Sequence, residues 1–101
     1  MPAVTRIGDK DMRHCTTPTR AEGSPNVFVN GIGVSRQGDL NTNHHCPPHT
    51  SSHPFCSSHS AAISVGSQTV FVNKRGCGRV GDKIEGCTAV AQGSPNVFAG
   101  G

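Results

Sequence analysis

Residues 22–39 read EGSPNVFVNGIGVSRQGD, and residues 65–82 read VGSQTVFVNKRGCGRVGD. Each stretch passes through Gly-Ser, Val-Phe-Val, Asn, a run of small residues and Arg-x-Gly-Asp. In both, 16 positions separate the first Gly (Gly23, Gly66) from the last Asp (Asp39, Asp82). Matched landmarks at equal spacing mark an internal repeat rather than a shared composition. A third copy lies in two pieces at the chain ends. Residues 92–101, QGSPNVFAGG, carry the front half, and residues 1–9, MPAVTRIGD, carry the back half. Arg6-Ile7-Gly8-Asp9 aligns with Arg36-Gln37-Gly38-Asp39 and with Arg79-Val80-Gly81-Asp82, and Gly101 and Met1 then fall on the same repeat position. A chain whose last half-repeat completes its first wraps around an axis with its termini adjacent. An open solenoid would need caps at its ends instead. The expectation is an all-β, pseudo-threefold body forming one domain over residues 1–101. Its repeats are 23–39, 66–82, and 93–101 joined with 1–9.

Each unit reads as a small hairpin. Val27-Phe28-Val29 and Val70-Phe71-Val72 are short β-prone runs. Asn30-Gly31 is a hairpin-turn signal, and the stretches ending in Arg36 and Arg79 read as returning strands. Asp9, Asp39 and Asp82 read as turn residues that bond their own backbone, not as catalytic carboxylates.

Composition restricts the alternatives. Of 101 residues 33% are hydrophobic, aromatics are four Phe, and Leu40 is the single Leu, so long amphipathic helices are not expected. No apolar run approaches the roughly 20 residues of a membrane-spanning helix, and no secretory signal pattern is expected at the N-terminus. A scattered net charge of +3, with Lys74-Arg75 as the longest basic run, does not point to nucleic acid. Five Cys and six His are the unusual feature. An odd Cys number leaves a thiol over from any disulfide framework, which turns the reading toward metal.

All the His and four of the five Cys lie in the connectors between repeats, which should gather at one end of the body. Five residues past each repeat Asp stand His14, His44 and Cys87. One donor from each unit, converging on the axis, is the arrangement an axial metal needs. Tetrahedral Zn²⁺ takes four ligands. The long second connector offers the fourth among His45, Cys46, His49, His53, Cys56 and His59. Cys46 and Cys56 could also form a disulfide, pair with Cys15 or build a second metal site. Cys77 replaces an aliphatic residue and reads as a small buried side chain.

With these motifs in place, the sequence resembles the PAAR-repeat family, the spike-tip proteins of contractile phage tails and type VI secretion systems. The Gly-Ser, the Val-Phe-Val-Asn and the Arg-x-Gly-Asp carry the resemblance over essentially the whole chain. The namesake Pro-Ala-Ala-Arg is degenerate, with only the Arg kept in Ala3-Val4-Thr5-Arg6, Gly33-Val34-Ser35-Arg36 and Gly76-Cys77-Gly78-Arg79. The resemblance implies a pointed cone of short strands with one structural zinc near its apex, held by three His and one Cys. On this chain that set is His14, His44, His59 and Cys87. His59 enters through the stretch His59-Ser60-Ala61-Ala62-Ile63-Ser64-Val65-Gly66-Ser67, and His45 is an alternative to His44. A His₃Cys donor set suits zinc better than iron.

The resemblance also implies a partner: one monomeric tip caps the end of a trimeric β-helical spike, the phage central spike or a valine-glycine-repeat protein. The function implied is mechanical and non-enzymatic, sharpening a spike that breaches an outer membrane. No toxin extension is expected, which points to a bare tip in a virion rather than to export by a type VI system. Two other classes are weighed against it. A zinc hydrolase needs a general base, and the His-rich connector has no carboxylate. A disulfide-stapled secreted binding module is opposed by the odd Cys number and the missing signal.

Overall fold

In both central repeats the Val-Phe-Val run turns back on itself across two residues. The computed structural model describes residues 1–13, 16–44 and 59–101. In it β1 (Phe28–Val29) pairs antiparallel with β2 (Ile32–Gly33), and β3 (Phe71–Val72) with β4 (Arg75–Gly76). The registers are equivalent, Phe28↔Gly33 in one and Phe71↔Gly76 in the other. The turn residues Asn30 and Gly31 have φ of 55° and 76°, and Asn73 and Lys74 have 52° and 69°. Positive φ at both central positions is the turn whose twist matches a hairpin. Asn tolerates it and Gly is indifferent to it, so Lys74 is the strained member.

The third hairpin is closed by the two termini. Ala3 pairs antiparallel with Phe98. The Val4 N–H donates to the Val97 carbonyl at 3.0 Å, as Val34 does to Val27 (3.1 Å) and Cys77 to Val70 (2.9 Å). The three units then join head to tail. Ile7 donates to the Gly33 carbonyl, Gln37 to Gly76 and Val80 to Ala3, at 2.9, 2.8 and 2.9 Å. At the centre the peptide groups of Thr5, Gly78 and Ser35 bond one another in a closed cycle: Thr5 to Gly78, Gly78 to Ser35 and Ser35 to Thr5, at 3.0, 2.9 and 3.0 Å. A Cβ on Gly78 would lie 2.6 Å from the Ser35 carbonyl oxygen, so this close approach requires glycine.

Symmetry-related side chains fill the centre of this body. Val4, Val34 and Cys77 occupy one repeat position and Val29, Val72 and Ala99 another, and together with Val97 they form one apolar cluster. Burial pushes the Cys77 thiol up to about 11, consistent with its reading as a small apolar side chain.

The Arg-x-Gly-Asp motif does more than turn the chain. Gly8, Gly38 and Gly81 have φ of 90°, 88° and 92°, and the following Asp accepts the Arg backbone N–H at 2.9, 2.8 and 2.8 Å. That is the expected turn. In addition each Asp takes its own Arg through Nε at 2.9, 2.7 and 3.2 Å and through Nη2 at 3.0, 2.9 and 3.0 Å. The free Nη1 of each Arg then reaches the turn of the next unit. Arg6 bonds Asn30 Oδ1, Arg36 bonds Asn73 Oδ1 and Arg79 bonds the Gly100 carbonyl, at 3.0, 2.9 and 3.0 Å. An Arg held planar by a bidentate carboxylate keeps a donor aimed at a neighbour, which explains why Arg is kept where the small residues before it vary.

Beyond each repeat Asp the connectors pair with one another. The antiparallel pairings Lys10↔Thr19, Asp11↔Val90, Arg20↔Asn41, Leu40↔Ala62, His44↔His59 and Ile63↔Ile84 link all three. A second apolar cluster, Ile63, Ile84 and Val90 with Ala61, Val80 and Cys87 against it, lies among them. Among the described residues no helix is long and apolar enough to cross a membrane.

Candidate metal centre

Three of the expected donors converge. The ligating atoms of His44, His59 and Cys87 lie within 4.8 Å of one another, with His44 buried and the other two half-buried. His14 and its neighbour Cys15 lie outside the described residues, as do His45, Cys46, His49, His53 and Cys56.

Backbone pairing sets two of the donors. His44 and His59 exchange both N–H···O bonds, each at 2.9 Å. Directly opposed residues on an antiparallel pair present their side chains to the same face. Their ring centroids are accordingly 4.2 Å apart, edge to face at 61°. The third donor arrives on a tight turn in which the Cys87 N–H bonds the Ile84 carbonyl at 3.0 Å, with Gly86 at φ 66°.

The His44 ring is oriented for ligation. Its Nδ1 lies 2.8 Å from the Thr42 carbonyl oxygen. A carbonyl only accepts, so Nδ1 carries the proton and Nε2 presents its lone pair. That Nε2 faces Cys87 Sγ at 3.3 Å. Tetrahedral zinc with arms of about 2.05 Å to nitrogen and 2.3 Å to sulfur holds such atoms about 3.6 Å apart. The donor chemistry and spacing therefore fit a thiophilic divalent ion, and this group could hold one. A carbonyl bond on the far ring nitrogen is the usual outer support of a metal-bound His.

Beneath these donors is a buried polar layer that the sequence reading did not single out. Asp11 and Arg20 form an ion pair whose side chains are both fully buried, Nε to Oδ1 at 3.1 Å, with Nη2 donating to Oδ2 at 3.1 Å. Arg20 also donates through Nη1 to the Asp39 carbonyl at 3.2 Å. Asn41 donates to Asp11 Oδ2 at 3.1 Å and approaches Cys87 Sγ at 4.0 Å, while its Oδ1 accepts the Ala61 N–H at 2.8 Å. Burial pushes the Asp11 carboxyl upward, opposed by Arg20 and Asn41. Burial also raises the Cys87 thiol. The Asn41 hydrogen bond and the Arg20 charge work against that rise and the Asp11 charge adds to it. Asp11, Asn41 and Ile84 each stand two residues past a repeat Asp. Their types differ so much that equal spacing gave no signal.

Asp11 Oδ2 accepts from both Arg20 and Asn41 and Oδ1 lies at ion-pair distance from Arg20 Nε, so Asp11 is held as the counter-ion of Arg20. A family model described as PAAR motif matches residues 7–85. The matched span includes His44, His59 and all three Arg-linked turns except Arg6 itself, and it stops two residues before Cys87. No curated protein matches the chain.

Proposed function

The chain belongs to the PAAR motif family, and from that premise we propose that it is the metal-stabilised tip capping the trimeric β-helical spike of a contractile injection machine. Proteins with this motif are structural spike tips, not enzymes. The machines concerned are phage tails and type VI secretion systems. The reading covers residues 1–101 as one domain, with His14, His44, His59 and Cys87 closing around one zinc ion.

One observation carries the capping role. Phe28, Phe71 and Phe98 occupy the same repeat position in the three units and are 58%, 60% and 50% exposed. Large exposed aromatics set at threefold positions favour association. Three near-equivalent anchors on one chain suit a partner with true threefold symmetry, whose strand ends need covering. Filling all four zinc positions with protein ligands leaves none for a reacting water. The ion then holds a small apex that has too little apolar material to hold itself, and the rigid point opens the target's outer membrane.

Sedimentation of the chain with a trimeric β-helical spike protein tests this. The expected complex has one tip per three spike chains. Replacing all three anchors (Phe28→Asp, Phe71→Asp, Phe98→Asp) abolishes it without loss of bound metal. A complex that survives the triple substitution, or that carries three tips, overturns the capping role.

A further inference from the structure

Asn41 touches more of the candidate centre than any spacing rule suggests. It stands three residues before His44, accepts from Ala61 two residues after His59, and approaches the Cys87 sulfur. Its side chain is buried, and its orientation is fixed by its partners. With the amide turned over, Nδ2 would face the Ala61 N–H, donor against donor, and Oδ1 would face the Asp11 carboxylate, acceptor against acceptor. One Nδ2 hydrogen goes to Asp11 Oδ2. The other is left for Cys87 Sγ, 4.0 Å away. Asp11 is itself immobilised by fully buried Arg20, which is anchored on the Asp39 carbonyl.

We propose that Asn41 is a positioning residue for the metal-bound thiolate: the Asp11–Arg20 pair aims its amide, and its N–H steadies the charge on Cys87 sulfur. The inference rests on the metal reading above. An N–H···S bond strengthens when the sulfur carries charge, so the interaction matters most with an ion present. Of the three equivalent positions, Asp11 can only accept and Ile84 can do neither. Asn41 alone can take the Ala61 N–H and still donate to sulfur. The threefold axis is thereby made unequal where one of the converging donors is a thiol and not an imidazole.

The test loads the full chain with Co²⁺ and reads the thiolate-to-cobalt charge-transfer band, together with affinity from chelator competition. Asn41→Leu and the smaller Asn41→Ser are compared with wild type and with Val34→Ala, a change in the apolar cluster at the hairpin end. Loss of an outer-shell partner weakens metal binding by about 10–100-fold. Both Asn41 variants are expected to show this, with the band moved to longer wavelength because the sulfur has lost a hydrogen bond. Val34→Ala is expected to lower the melting temperature of metal-free and loaded protein alike, with band and affinity unchanged. Wild-type band and affinity in either folded Asn41 variant overturn the proposal while leaving the metal centre standing. A wild-type chain that takes up no Co²⁺ overturns both.

Discussion

The hairpin end and the connector end of this molecule are built on opposite plans. At the hairpin end three units of equal length make the same bonds three times over, and the core consists of matched small apolar residues. Every unit lends its Arg to the next, so the symmetry itself supplies the stability. At the connector end the segments have unequal lengths, and the equivalent positions Asp11, Asn41 and Ile84 hold three different side chains. There a buried ion pair and a cluster of His and Cys stand where the other end has valines. The contrast shows where threefold repetition stops being useful. A ring of identical units can close on itself, but His44 and His59 come from one connector and Cys87 from another, so this cluster and its supports draw on segments that differ.

The sharpest way to break the contrast is to remove a member of the donor cluster or any ion it holds. Cys87→Ala, or treatment with a strong chelator, is expected to lower the melting temperature by more than about 15 °C, given the size of structural zinc stabilisation and the usual dependence of melting on free energy. The loss should be one-sided. In hydrogen exchange the amides of His44 and His59 lose protection while those of Thr5, Ser35 and Gly78 keep theirs; uniform loss would mean that the two ends fold as one unit. Acid should act in the same direction. Ligation needs a deprotonated thiol, and burial raises Cys87, so binding expels protons and affinity falls as pH falls. Metal retention across a pH series checks the sign.

A smaller effect tests the polar layer. Arg20→Leu strands the Asp11 carboxylate in the interior and is expected to cost about 3–5 kcal/mol, whereas replacing both partners by apolar residues recovers most of it. Denaturant melts of the single and double variants measure the difference. If the single change proves harmless, this layer is not holding the connector end together.

The smallest effect is at the hairpin end. Cys77→Val restores the residue of the equivalent positions Val4 and Val34 and is expected to change stability by under about 1.5 kcal/mol at neutral pH. In the folded chain the thiol is raised from 9.0 to about 11. The folded form therefore holds this proton more tightly than the unfolded form. The stabilisation it gives is full below pH 9 and is lost as pH rises toward 11. The variant should show a flatter stability profile across that window, measured by denaturant midpoints.

Much of this was legible in the residues. The two central hairpins announced themselves through Asn30-Gly31 and the Val-Phe-Val runs, and the closure by the termini followed from half-repeats that fit. His44, His59 and Cys87 were named, the first and last by counting from the repeat Asp and the other through the family resemblance. The strands proved shorter than the apolar runs because the Val27 and Val70 N–H groups are taken by the Ser24 and Ser67 hydroxyls of their own repeats and not by the opposite strand. Lys74 at positive φ had no local signal, since the geometry there is imposed by the hairpin around it. Asp9, Asp39 and Asp82 were read as turns alone because their Arg partners sit three residues back, and only the fold shows those guanidinium groups also reaching the next unit.

The sequence by itself laid out the repeat landmarks, their order and the fitting half-repeats at the ends, and it offered His44, His59 and Cys87 among its candidate donors, because repetition and spacing are properties of a line of residues. The tertiary structure decided the rest. It brought Asp11, Arg20 and Asn41 together from two connectors, paired the carboxylate with the guanidinium and the amide, and set that layer beneath the Cys87 sulfur. No pattern along the chain encodes such a layer, because a buried polar group survives only if its partners arrive from elsewhere in the fold, and burial and partnership exist only once the chain has closed.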